Sequence, residues 1–397
     1  MSATRKKRGT NLEDVQDMNR SLIIKLLRKK QICSRAELTQ ESGLNQSTIT
    51  HIINEFIQWG LVVETGSIEG RKGRRSIGIR LNSELYKIIG VRLTRKSIFV
   101  ALYDIEGQEY EYRHIAIDND DDPLAAFGKI KDLISMMIRM NASGHVYAIG
   151  VALPGPLFRQ EGRIALMSSF PGWDKINIEQ ELMQEYGIPV YIEHDAKAGG
   201  LAQWWFGDHQ LDPSHGVLMY VTAGQGIGAG IIVNGKVYHG AIGMAGEMGH
   251  MSIDYNGPVC ECGHRGCLEL YCTTSVLLKE LNRPYSALSG VWESLREGHP
   301  ATVQAVKKVA WFLGFGLANM VNVYNPDHIV LGDELSGAGE LLRDTVAEVI
   351  REHVLIELWQ NLRIELASPD KDDMLIGAAA HAIDQLLMAP SSLRMNL

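Results

Sequence analysis

Apolar residues in the first eighty positions recur at helical spacing. Leu22, Ile23, Leu26 and Leu27 mark one helix, and residues 1–10 before it form a basic tail with no periodicity. Ser34-Arg35-Ala36-Glu37 has the spacing of a capping box and opens a second, short helix that stops at Gly43. Leu44 is left to fill the turn, and Asn45 is placed to cap a third helix. There Ile49, Ile52, Ile53, Phe56 and Ile57 fall at i, i+3, i+4, i+7 and i+8, which predicts a single buried stripe. Gln46, Ser47, Thr48, Thr50, His51 and Asn54 remain for the other faces. After Gly60 the period changes. Leu61-Val62-Val63-Glu64 and Ile79-Arg80-Leu81 predict two strands joined by a glycine-rich loop over 66–78.

From Tyr86 strands and helices alternate. Ile88–Leu93 and Ile98–Tyr103 predict a strand pair, and the acidic turn Asp118–Asp122 precedes a helix through Phe127, Ile130 and Ile134. Val146–Ala152 is a buried-strand run ending at Pro154-Gly155-Pro156. A helix near Glu179–Tyr186 leads into a strand, Val190–Glu193, that ends at His194-Asp195. Leu218–Val221 and Gly228–Val233 flank the glycine-rich stretch Ala223–Gly228. Val303–Tyr324 predicts a long helix, Ile329-Val330-Leu331 a strand, and the remainder is mostly helical. The pattern is that of an α/β body, residues 86–397, behind a small helical head, residues 11–82.

Charge sharpens this division. The chain of 397 residues has a formal net charge of −8, which taken whole argues against a phosphate-rich partner. Residues 1–80, however, hold 15 Lys and Arg against 8 Asp and Glu, a net +7, and the remainder is −15. Two helices around a tight turn, followed by a basic hairpin, form a winged helix-turn-helix pattern. Gln46, Ser47, Thr48, Thr50 and His51 can reach base edges from the start of the third helix. Arg71, Lys72, Arg74 and Arg75 in the hairpin loop can contact phosphates or enter the minor groove. Double-stranded DNA is therefore an expected partner. No uninterrupted apolar run reaches the ~20 residues of a membrane span, and the start lacks a secretory apolar region, so a cytoplasmic protein with no membrane partner is expected.

Five cysteines are present, of which Cys260, Cys262, Cys267 and Cys272 crowd one stretch. Cys260-Glu-Cys262-Gly-His-Arg-Gly-Cys267 puts three thiols on a glycine-hinged knuckle, a pattern that suits a closed, structural Zn2+ site. His250, Cys272 and His264 are candidates for a fourth ligand. His194-Asp195 sits where a strand gives way to a helix, the ligand-facing edge of an α/β sheet. With Glu247 and Glu269 flanking the knuckle, three carboxylates could converge on sugar hydroxyls. The Ala223–Gly228 hairpin could bring backbone amides to phosphate.

These residues resemble the ROK family (repressor, open reading frame, kinase), in particular its XylR/NagC-type transcriptional regulators. The most specific part is Glu247-Met248-Gly249-His250 followed by Cys260-x-Cys262-Gly-x-x-Gly-Cys267-Leu268-Glu269, and the resemblance runs on to Gly377-Ala378-Ala379. It implies an N-terminal winged helix-turn-helix and a two-lobed, actin-like (sugar kinase/ribonuclease H-like) domain with a cleft between the lobes. It also implies zinc held by His250, Cys260, Cys262 and Cys267 in a knuckle over 250–267, leaving Cys272 out. Sugar would contact Asp195, Glu247, His250 and Glu269, with Asp195 at the position that serves kinases as general base.

Four departures bear on function. Family kinases carry Asp-x-Gly-Gly-Thr in the first hairpin, and Gly90-Val91-Arg92-Leu93-Thr94-Arg95-Lys96 has neither the acid nor the glycines. Gln225 replaces the Thr of a Gly-Thr-Gly loop, and Gly332-Asp333 replaces a Gly-Gly. His194 stands where sugar kinases have Asn. Phosphoryl transfer depends on placing Mg-ATP, so no catalytic residue and no bound ATP are expected. The resulting expectation is a repressor of carbohydrate genes that acts as a homodimer or homotetramer on a pseudo-palindromic operator. A sugar or sugar-phosphate effector, contacted by His194 as well as the carboxylates, would relieve it. Rival readings are an active ROK sugar kinase, or a repressor induced by a protein such as a sugar-transport component.

Overall fold

The computed structural model describes residues 11–69, 75–117, 122–141, 145–158, 163–164, 172–207, 215–388 and 390. Asn11 caps α1 (Leu12–Lys30) through a capping box with Asp14 that the apolar pattern did not reveal. After β1 (Cys33–Ser34), the expected box forms: Ser34 Oγ caps α2 (Arg35–Ser42) by accepting from the Glu37 amide, and Glu37 accepts in return from the Ser34 amide at 2.8 Å. Gly43 ends α2 at φ 69°, a left-handed conformation that a Cβ would disfavour. Asn45 Oδ1 then accepts from the Thr48 amide at 2.8 Å to start α3 (Gln46–Gln58).

Ile49, Ile52, Ile53 and Phe56 of α3 are buried, as expected, but Ile57 is 37% exposed. Eight residues turn the helix about 80° beyond Ile49, which carries Ile57 to the margin of the apolar stripe. β2 (Val62–Glu69) and β3 (Arg75–Leu81) pair antiparallel, with β1 on the other edge of β3. Both strands outrun their apolar residues, so the loop expected over 66–78 is shorter and Arg75 lies on β3.

The body contains two sheets of the same connectivity. In the first, β4 (Tyr86–Leu93), β5 (Ser97–Asp104) and β6 (Glu109–Ala116) form an antiparallel meander. The chain continues through α4 (Pro123–Met140), β7 (His145–Leu153), the short pair β8 (Leu157–Phe158) and β9 (Arg163–Ile164), α5 (Ile178–Tyr186), β10 (Val190–His194) and α6 (Asp195–Phe206). β7 and β10 add in parallel, giving the order β10-β7-β4-β5-β6. The second half runs β11 (Val217–Ala223), β12 (Ile227–Val233), β13 (Lys236–Val237), α7 (Glu269–Cys272), α8 (Thr274–Glu280), α9 (Leu288–Arg296) and α10 (Pro300–Tyr324). It closes with β14 (His328–Gly332), α11 (Glu340–His353), α12 (Ile356–Asn361), β15 (Arg363–Leu366) and α13 (Asp373–Met388). Its sheet order, β13-β12-β11-β14-β15, repeats the first. β6 and β15 carry no apolar run that would mark them, because they are edge strands with largely polar residues.

Two helices exchange sheets. α6 leaves the first sheet to pack on β11 and β12, while α13 leaves the second to pack on β4 and β7. They meet through small residues, Ala198 of α6 and Ala378 of α13, packed with Ala152 of β7. A Cβ at Gly377 would fall 2.0 Å from the Ala198 carbonyl oxygen, so only glycine allows this approach. The apolar core also continues from the head (Ile23, Ile53, Phe56) through Tyr86 and Tyr147 to Ile383 and Leu387 of α13. The Tyr86 hydroxyl donates to the Trp59 carbonyl at 2.7 Å across that junction. Among the described residues, no helix is long and apolar enough to cross a membrane.

Candidate functional site

The α3 surface follows from how its other faces are used. Arg20 of α1, nearly buried, makes a bidentate ion pair with Glu55 at 3.0–3.1 Å and a second bond to Asp17 at 3.0 Å. This pins the inner side of α3 and leaves Gln46, Ser47 and His51 exposed, with Thr48 and Thr50 half-buried. The Ser47 hydroxyl donates to Asn45 Oδ1 at 2.7 Å and that of Thr50 to the Gln46 carbonyl at 2.8 Å, so both spend their protons within the helix and its cap. Of the hairpin cations, Arg75 is exposed on β3, while Arg71, Lys72 and Arg74 lie outside the described residues. Several other cations of the head are engaged internally: Lys30 with Glu41, Arg35 with Glu64, and Lys25 with Asp384 of α13.

The five residues expected in the cleft come together between the lobes. His194 ends β10 and Asp195 opens α6, where its carboxylate accepts from the Ala196 amide at 2.6 Å. The buried His194 ring has Nδ1 3.4 Å from Asp195 and Nε2 3.8 Å from Glu247. Glu247 and His250 share one 3-10 turn, and His250 Nδ1 lies 3.3 Å from Glu269 at the start of α7. Asp195, Glu247, His250 and Glu269 remain partly accessible. His194 Nδ1 is buried and makes no hydrogen bond among the described residues, with the Asp195 carboxylate 3.4 Å away.

Behind this cluster lies a pair that the sequence pattern did not point to. Glu193, fully buried in β10, takes a 2.7 Å hydrogen bond with His239 and accepts from the His194 amide at 2.8 Å. Burial alone would raise its carboxyl, but the His239 bond and the charges of His381, His239 and Lys197 outweigh it and hold the group at about 2. A signal was available: an acid inside the otherwise apolar strand Val190–His194. No such signal marked Arg20.

His250, Cys260, Cys262 and Cys267 bring their ligand atoms within 4.8 Å of one another. Cys262 and Cys267 Sγ are 3.6 Å apart, and Cys260 Sγ is 3.8 Å from His250 Nδ1. A tetrahedral ion with ~2.3 Å thiolate bonds requires sulfur–sulfur edges of about 3.8 Å, so the four residues can hold a metal ion. Cys272 is outside the set and donates to the Leu268 carbonyl, while His264 approaches Cys262 alone at 3.4 Å. A backbone hydrogen bond at His264 lowers the Cys262 thiol to about 6, whereas burial raises those of Cys260 and Cys267.

A separate cavity lies elsewhere. It encloses about 1560 Å³ between α1, the C-terminal end of α6 and the Asp333 and Asp372 loops, and none of the five cleft residues lines it.

Comparison with known proteins places these features. Residues 88–385 match the ROK family. A xylose repressor of Caldicellulosiruptor bescii is 30% identical over 95% of this chain and 98% of its own length. A solved ROK family transcriptional regulator, described as a homologue of the Escherichia coli MLC protein, superposes with a TM-score of 0.79 over 96% of this chain and 98% of its own, at 24% identity. A Streptomyces griseus ROK family glucokinase, solved with glucose and AMPPNP, is 25% identical with a TM-score of 0.65, covering 75% of this chain and 99% of its own.

Proposed function

The chain belongs to the ROK family, and on that premise we propose that it is a DNA-binding transcriptional repressor whose inter-lobe cleft takes a sugar. Residues 11–82 act as a winged helix-turn-helix: Gln46, Thr48 and His51 face base edges, and Arg75 with Arg71, Lys72 and Arg74 supplies phosphate contacts. Ser47, donating to the Asn45 cap, and Thr50, back-bonded within α3, contribute as acceptors. One head reads one half-site, so a dimer or a pair of dimers binds a pseudo-palindromic operator. In the cleft, Asp195, Glu247 and Glu269 accept hydrogen bonds from sugar hydroxyls, and the buried Nδ1 of His194 gains a hydrogen bond. Sugar bound more tightly in one lobe geometry than another shifts the protein away from the DNA-binding arrangement.

Zinc suits the His250, Cys260, Cys262 and Cys267 set. Its chemistry there is structural: a dication holds three thiolates in a fixed knuckle. His250 belongs to both sets, so a bound metal would also hold the turn that carries Glu247.

The likeness to a repressor carries this reading, because it spans head and body together. Fluorescence anisotropy with DNA from upstream of the chain's own gene and neighbouring sugar genes, across a salt titration, tests it. Sequence-specific binding that weakens log-linearly with salt is expected, and release by D-xylose, the first sugar to try, identifies the effector. Failure to bind any such DNA specifically would sink the reading. The likeness to a glucokinase and the placement of Asp195 favour a kinase as second reading. ADP release over a panel of sugars decides it, and no turnover is expected.

A further inference from the structure

Three of the departures from the kinase pattern, Arg92, Gln225 and Asp333, meet in one network across the lobes. Arg92 leaves β4 of the first sheet, and its Nη2 donates to Asp333 Oδ1 at 3.3 Å, just past β14 of the second. Its Nη1 donates to Asp372 Oδ2 at 3.0 Å, and the guanidinium lies over the Phe99 ring, so Arg92 is held from both sides. All three charged groups are largely buried. Asp333 adopts φ 67°, a region in which only glycine is comfortable, so the backbone accepts strain to place this carboxylate. The carboxylate presses against the glycine hairpin: a Cβ at Gly224 would lie 2.4 Å from Asp333 Oδ2. A second contact comes from the same β4–β5 turn. Lys96 Nζ sits 3.5 Å from the centre of the Tyr285 ring, and the Tyr285 hydroxyl meets Glu334 and Gln225, itself 3.2 Å from Glu334.

We propose that Arg92–Asp333 and Lys96–Tyr285 form a two-point latch that clips the β4–β5 hairpin of one lobe to the second lobe and sets how far the cleft opens. The chain fills the mouth of its own glycine hairpin with a carboxylate and a guanidinium, and the two lobes are tied by that ion pair. Its consequence for effector affinity rests on the sugar-cleft reading above; the latch itself does not.

Full-length, unliganded protein tests it by hydrogen exchange and small-angle scattering. Arg92→Met leaves Asp333 buried and unpaired, and a fall in Tm of about 5–10 °C is expected. Asp333→Gly is the variant that guards against simple misfolding, because glycine relieves the strain at φ 67° while deleting the carboxylate. In both, amides of the turn at Thr94–Ser97 exchange about tenfold faster and the radius of gyration rises, and the double variant is no more open than either single one. D-xylose titration of the same variants then shows at least about a threefold change in Kd if the latch governs the cleft. Unchanged exchange and scattering in both single variants, or independent additive effects in the double, overturn the latch. Absence of D-xylose binding in the unaltered protein counts against the proposed effector, and the latch then stands or falls on exchange and scattering alone.

Discussion

Glu193 shows what one buried acid does for this cleft. It holds His239 from the second lobe and the His194 amide of the first, and it stays ionised only because His239, His381 and Lys197 surround it. Its folded value is depressed to about 2, so its contribution is full above the ordinary carboxylate range and is lost as pH falls towards 2. Denaturant unfolding at stepped pH should lose roughly 3 kcal/mol across that window, and Glu193→Gln should flatten the loss. The knuckle makes a second claim at this scale. Stoichiometric zinc is expected by elemental analysis, and chelation or Cys260→Ser should lower Tm and expose the 250–267 segment to protease. A metal-free protein with unchanged Tm would rule zinc out of the knuckle.

At the scale of elements, α3 is left free to serve as the proposed reading surface because α1 restrains its other side. Glu55→Ala leaves the Arg20 guanidinium buried with Asp17 as its remaining carboxylate, at a cost of about 3–5 kcal/mol in urea unfolding. That loss acts through the anchor and not through DNA contact. Gln46→Ala and His51→Ala should instead leave stability unchanged and weaken operator binding about tenfold each, chiefly for the preferred sequence. Arg75→Ala should weaken all sequences alike and reduce the salt slope by about 1, because a phosphate contact carries no sequence information. A uniform loss from Gln46→Ala would mean that α3 is not in the major groove.

For the whole molecule, the division into head and body is one of pattern more than of packing. The apolar core passes from Phe56 and Ile53 through Tyr86 to Leu387, and Arg28 of α1 lies 3.3 Å over the Trp205 ring at the far end of the helix that Asp195 begins. α6 therefore touches the cleft at one end and the head at the other. A single cooperative unfolding transition is expected by calorimetry. Leu387→Ala, which removes a fully buried side chain from α13, should cost about 2–5 kcal/mol and speed hydrogen exchange in α3 as well as α13. Two separate transitions would show that the shared core does not couple them. The charge division survives in a reduced form: the head is cationic, but Arg20, Lys25, Lys30 and Arg35 are bound to acids within the chain. The acids that hold Arg20, Lys30 and Arg35 are already counted in the head's +7, so only Lys25, paired with Asp384 of α13, subtracts from the charge left for phosphate.

Local rules determined much of this protein from its sequence. Ser34, Gly43 and Asn45 set the ends of α2 and α3 because caps and left-handed turns act within three or four residues. Alternating and continuous apolar runs marked most strands of both lobes, and the Cys260-to-Cys267 spacing grouped three candidate metal ligands because a knuckle closes locally. Tertiary structure decided whatever required partners distant in the chain. The polar edge strands β6 and β15 exist because neighbours supply their hydrogen bonds, not because of their own residues. Arg20 meets Glu55, Glu193 meets His239, and Arg92 meets Asp333 across separations of 35, 46 and 241 residues. A buried charge is tolerable only where the fold delivers its counter-charge, and spacing along the chain does not say where that will be.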